Sequence, residues 1–80
     1  MIAQNMVNIL KKNNRVNVWY GDIDIIEECA IMSGVLKKHP KDTIQSVLNA
    51  LDKSTMFKKT YIYSDLDGTK RKYRCFTMCD

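Results

Sequence analysis

Glycine and proline are scarce in this chain, three and one in 80 residues, so neither a flexible linker nor a low-complexity segment describes it. No apolar run approaches the roughly 18 residues that cross a bilayer. Met1 to Leu10 lacks the basic stretch ahead of an apolar core that marks a signal peptide. The three cysteines, Cys29, Cys75 and Cys79, are an odd number with no framework spacing. Reduced thiols in an intracellular, cytoplasmic protein that needs no membrane are therefore expected. A glycine-rich phosphate loop and a nucleophile motif are both missing. A chain this short buries roughly 60% of its unfolded surface, which leaves little room for an enclosed catalytic pocket. The expectation is one domain over residues 1–80, not an enzyme, with no cofactor.

What is present is a foldable composition, 45% hydrophobic and 28% charged, with a net charge of +4. The charge is uneven. From Lys53 to Arg74 seven basic residues face only Asp65 and Asp67, and such a localised positive field favours polyanions or an acidic protein face. A solvated lysine-rich surface is the plainer reading of the same pattern.

Ile2, Met6, Val7, Ile9 and Leu10 recur at helical steps, predicting a helix that stops at Asn13-Asn14. Arg15 to Tyr20 reads as a short strand ending at Gly21. A helix of about nine residues, Ile25–Ser33, follows. Asp24 and Glu27 stand at capping-box spacing, Ile25, Ile26, Cys29, Ala30 and Met32 supply its inner side, and Gly34 closes it. Pro40 opens a third helix, whose Ile44, Val47, Leu48 and Leu51 form a one-sided stripe at i, i+3, i+4 and i+7. Lys58–Ser64 and Lys70–Thr77 are β-prone runs around Asp67-Gly68, a pair suited to the positive φ angles of tight hairpin turns. Tyr61 and Tyr63 share one face of the first run, Thr60 and Ile62 the other.

This order of helix, short strand, two helices and β-hairpin resembles a winged helix-turn-helix domain over nearly the whole chain. The resemblance rests on the Ile25–Ser33 helix closed by Gly34, the Ile44/Val47/Leu48/Leu51 helix, and the Asp67-Gly68 hairpin flanked by Lys70-Arg71-Lys72. It implies an α+β fold with three helices, a short strand and a C-terminal wing. It also implies double-stranded DNA as partner, with helix 40–53 in the major groove and the wing on the backbone or in the minor groove. The link Val35–His39 departs from a tight helix-turn-helix, being slightly longer than a three- or four-residue turn.

With the apolar stripe inward, Lys41, Gln45, Ser46, Asn49 and Lys53 face outward on that third helix. Gln and Asn pair with adenine N6/N7 and Lys reaches guanine O6/N7, although any surface helix displays such residues. In the wing, Lys58, Lys59, Lys70, Arg71, Lys72 and Arg74 lie on adjacent strands, where like charges repel until a polyanion relieves them. Lysines on exposed strands also discourage aggregation. Lys58, Lys70, Arg71 and Lys72 complete the candidate nucleic-acid-binding set. Tyr61, Tyr63 and Tyr73 read as cross-strand packing before base stacking, and Trp19 as packed against the helices.

Cys75 and Cys79 are too far apart on a strand, about 13 Å, to share one ion with His39 and Cys29, so no metal site is expected. His39, beside Pro40, is no catalyst. Small-site specificity would call for a homodimer or neighbouring factors, with Ile2, Met6 or Trp19 as contacts. Lys, Ile and Asn supply 24 of the 80 residues and Lys outnumbers Arg 10 to 3, a composition that suits an AT-rich genome. The leading expectation is a transcriptional regulator acting by occupancy. The alternative is a protein-interaction module, such as a phage or viral accessory protein that docks on and inhibits a host protein.

Overall fold

The first helix forms where apolar side chains return every three or four residues. Ala3, Met6, Val7, Ile9 and Leu10 of α1 (Ile2–Lys12) are buried, and Lys11 and Lys12 occupy its last turn, where the helix dipole favours cations. Asn14 ends it at φ +55°. The Arg15 amide then donates to the Leu10 carbonyl at 2.8 Å and the Asn14 amide to Lys11 at 3.1 Å, a Schellman closure in which Asn takes the left-handed position. The computed structural model describes residues 1–79. Its remaining elements are β1 (Asn17–Trp19), α2 (Ile23–Ser33), α3 (Pro40–Asp52), β2 (Phe57–Ser64) and β3 (Arg71–Met78).

Helix α2 begins two residues earlier than expected, and Asp22, not Asp24, precedes it. Its side chain caps nothing because it faces the other way. Asp22 takes a two-bond fork from Arg15, at 3.0 and 2.8 Å, and the Trp19 amide at 3.0 Å. This joins the end of α1, strand β1 and the start of α2 in one charged knot. The far end behaves as the glycine predicts. Gly34 sits at φ +70°, the Val35 amide donates to the Ala30 carbonyl at 2.9 Å, and Val35 packs on the core. Met32, placed inward by the sequence, is instead more than half exposed. The link to α3 is held by Thr43, the one buried polar residue among those described, whose hydroxyl accepts the Lys37 amide at 2.8 Å. His39 is extended ahead of Pro40, as the proline ring demands.

The three strands form one antiparallel sheet in the order β1-β3-β2. Its register opposes Val18 to Phe76, Phe57 to Met78, Tyr61 to Arg74 and Tyr63 to Lys72. Because side chains alternate, Val18, Phe57 and Phe76 point together at the helices and join Met6, Ile9, Leu10, Ile26, Val47, Leu48 and Leu51 in a single core. Architecture and class are thus α+β, with three helices packed on one side of a three-stranded sheet.

Two expectations change on the sheet. Trp19 opposes Cys75, so it lies on the side away from the helices. It packs edge-on against Tyr73 at 5.7 Å between ring centroids, while Tyr20 is the aromatic that reaches the core. The hairpin is also not a tight two-residue turn. Six residues separate β2 from β3, with a turn closed by the Gly68 amide on the Asp65 carbonyl and only Gly68 at positive φ in the loop. Met6 is completely buried, which removes it as a contact for a second copy.

Two substitutions test this packing. Phe76→Ala should cost about 3–5 kcal/mol in denaturant unfolding, a large part of the roughly 4–12 kcal/mol typical of a domain this size. A Cβ at Gly21 would overlap the Trp19 indole. Gly21→Ala should therefore displace the ring and change the emission of the sole tryptophan while leaving helix content intact.

Candidate nucleic-acid interface

Lys41, Gln45, Asn49 and Asp52 fall at i, i+4, i+8 and i+11 on α3, so they line one side of the helix. That side borders the sheet. Arg74, two residues along β3 from the buried Phe76, shares its face and is thereby laid along α3. Its Nη2 donates to Gln45 Oε1 at 2.9 Å, and its Nη1 to Asn49 Oδ1 at 2.9 Å and Asp52 Oδ2 at 3.3 Å. Lys59, on the same face of β2, reaches the other Asp52 oxygen at 3.2 Å. One carboxylate thus accepts from two cations.

The electrostatics follow from these bonds. Asp52 is held below its ordinary carboxylate pKa, first by the hydrogen bond from Lys59, with Arg74 adding to it. Lys59 is raised correspondingly, first by Asp52 and then by Tyr61. Beyond Arg74 the hairpin leaves the core. Tyr61 and Tyr63 are 48% and 67% exposed, so they are not packed away. The Lys72 ammonium stands 4.4 Å from the Tyr61 ring centre, close enough for a cation–π contact. On the other edge of β3, Lys41 and Arg71 line one open groove with Tyr20, Tyr73, Leu66 and Asp67. Arg71 pairs with Asp67 at 3.1 Å, both more than half exposed, an arrangement worth little in water and easily exchanged for another anion. Asp67 is itself lowered, first by the Thr69 amide and then by the Arg71 charge.

The nine sequence candidates therefore do not form one cluster. Gln45 and Asn49 meet through Arg74, Lys41 and Arg71 meet across the groove, and Lys72 lies beside Tyr61. Lys70 is exposed in the hairpin loop. Ser46 is half-buried on the flank of α3. Lys53 has turned toward α1, lining a different hollow with Met1, Ile2 and Ala50. Lys58 opposes Thr77 on the sheet side away from the helices. The wing cations are split between the two faces of the hairpin, and three of them are already paired with carboxylates. Sequence reasoning counted Arg74 and Lys59 among the wing charges but missed their part in organising α3. The line of acceptors Gln45, Asn49 and Asp52 at helical spacing was the available signal.

Set against protein-family models, curated proteins and solved structures, the chain matches none. Among the described residues, no group of three or more His, Cys, Asp or Glu is placed to hold a metal ion. No helix among the described residues is long and apolar enough to cross a membrane. Cys29 and Cys75 are buried and Cys79 is exposed, all as free thiols. Burial pushes the Cys29 thiol up, away from the reactive thiolate.

Since the Asp52 pKa is depressed on folding, its stabilisation is complete at neutral pH and is lost as pH falls through the lowered value. Asp52→Asn should lower stability at pH 7, and the gap from the parent protein should close as the carboxyl protonates below the usual carboxylate range. Chemical denaturation of both proteins across pH 2–7 measures this.

Proposed function

We propose that this protein is a small DNA-binding protein of the winged helix-turn-helix kind, acting by occupancy as a transcriptional regulator. The element order and the β1-β3-β2 sheet support the fold-level part of this reading. The observation that carries it is the surface shared by α3 and the hairpin. Arg74 bonds directly to the outward residues Gln45 and Asn49, so α3 is continuous with the one face of the hairpin that carries Lys59, Tyr61, Tyr63 and Lys72. A helix fits the major groove, roughly 12 Å wide, and the hairpin would then follow the backbone, with Lys41, Lys70, Arg71 and Lys72 on phosphates. The chain measures 32 × 31 × 23 Å, close to one turn of duplex, about 34–36 Å. Specificity in a genome would then depend on a second copy or a neighbouring factor.

A second reading, a protein-interaction module, rests on α2. There Ile23, Ile31 and Met32, with Leu36 just beyond, are more than half exposed among Asp24, Glu27 and Glu28. An apolar patch with acidic neighbours suits a protein surface bearing Lys and Arg around apolar side chains.

Fluorescence anisotropy with a mixed-sequence duplex tests the DNA reading. Four phosphate contacts predict that affinity drops about a hundredfold between 50 and 200 mM salt. Lys70→Ala with Arg71→Ala should reduce the slope of log K against log salt by about 2. No binding at low salt would end this reading and leave the α2 surface as the place to seek a partner.

A further inference from the structure

An amide side chain reads adenine by offering an acceptor and a donor side by side, to N6–H and N7. On α3 the acceptor half of both amides is engaged. Gln45 Oε1 and Asn49 Oδ1 each accept from the Arg74 guanidinium at 2.9 Å. A carboxamide carries its oxygen and its nitrogen about 120° apart on one planar carbon, so tying the oxygen to β3 fixes the plane and leaves each –NH2 as the amide's free donor. The acidic acceptor beside them, Asp52, is held by Lys59 and Arg74 together. Arg74 is itself anchored, its side chain 23% exposed and its guanidinium 5.8 Å from the Phe76 ring centre. What this part of the surface offers a ligand is therefore weighted toward N–H: Gln45 Nε2, Asn49 Nδ2 and the remaining guanidinium hydrogens, with a fixed positive charge beside the amide oxygens. An incoming N–H, such as adenine N6, meets donors and a cation. An incoming pair of acceptors meets complementary groups.

We infer that Arg74 sets the base preference of α3, directing it to the acceptor-only major-groove edge of guanine, O6 and N7, and away from adenine. The inference rests on the DNA reading proposed above and corrects the adenine pairing that Gln and Asn alone suggest. Arg74 is a positioning residue in this scheme: it acts through the orientation of two neighbours.

The test compares anisotropy binding to three duplexes of equal length at one salt concentration: one with G·C steps, one of A·T pairs only, and the first with 7-deazaguanine, which lacks the N7 acceptor and leaves every phosphate in place. The parent protein should bind the G·C duplex at least fivefold more tightly than the A·T duplex, and 7-deazaguanine should remove most of that advantage. Arg74→Met and Arg74→Lys should both shrink the G·C to A·T ratio, because each frees the amide oxygens. The ratio is the readout, since losing a cation weakens binding to any duplex. Gln45→Ala with Asn49→Ala, with helix content checked by circular dichroism, should abolish the preference. Equal affinity for all three duplexes would overturn the role given to Arg74 and leave DNA binding standing. A G·C preference untouched by 7-deazaguanine would overturn it too, as a reading of groove shape. Absence of binding to any duplex at low salt would overturn both.

Discussion

Phe76 fixes the phase of the central strand, and most of the surface chemistry follows from that phase. The side chain is entirely buried, and β3 is bonded on both sides, to β1 and to β2. A slip of one residue would turn the phenyl ring out to solvent and put Cys75 or Thr77 in its place, which a core this small cannot tolerate. With Phe76 inward, Arg74 must share its face one step out, and Lys72 one step further. The strand passes from core to helix contact to open solvent within five residues. The same alternation sends Tyr73 and Cys75 to the opposite face, where Trp19 covers them.

The charged groups are arranged by geometry more than by number. Asp52 is the one carboxylate on the α3 face that borders the sheet, and Lys59 and Arg74 cover both of its oxygens. The acidic residues of the first half of the chain go elsewhere. Asp22 binds Arg15 and the Trp19 amide inside the fold, Glu28 pairs with Lys12 across α1 and α2 at 2.6 Å, and Asp24 and Glu27 stay on the outer side of α2. A chain of modest net charge thereby acquires a basic end and an acidic flank.

Much of the framework was legible in the sequence because it is written in local chemistry. The α3 stripe, the closures at Asn13-Asn14 and Gly34, and the limits of the two hairpin strands within one residue all follow from periodicity and turn preference, while β1 is half as long as the run Arg15 to Tyr20 suggested. Three things were not local. The start of α2 depends on Arg15, seven residues before Asp22, which takes the carboxylate a cap would have used. The side chosen by Trp19 depends on its pairing with Cys75, 56 positions away, and alternation in a three-residue strand cannot say which face is inner. The state of Gln45 and Asn49 depends on Arg74, 29 and 25 residues on. Composition and spacing announce polar groups on a helix, but not which of their atoms are spoken for.

The pairing of β1 has a kinetic meaning. Its only neighbour in the sheet is β3, so Asn17 must wait for Thr77 and Val18 for Phe76. Helical turns and the β2–β3 hairpin close over short distances and form early, on microsecond scales. Joining the two ends of the sheet requires a loop of nearly sixty residues to be closed first, and topologies with such distant contacts fold more slowly than helical bundles of equal length. No smaller piece of the chain contains both halves of the core, so a fragment that stops short of β3 would leave Val18 uncovered and the helices without a floor. Folding is thus expected to be all-or-none, committed only when β1 docks on the free edge of β3.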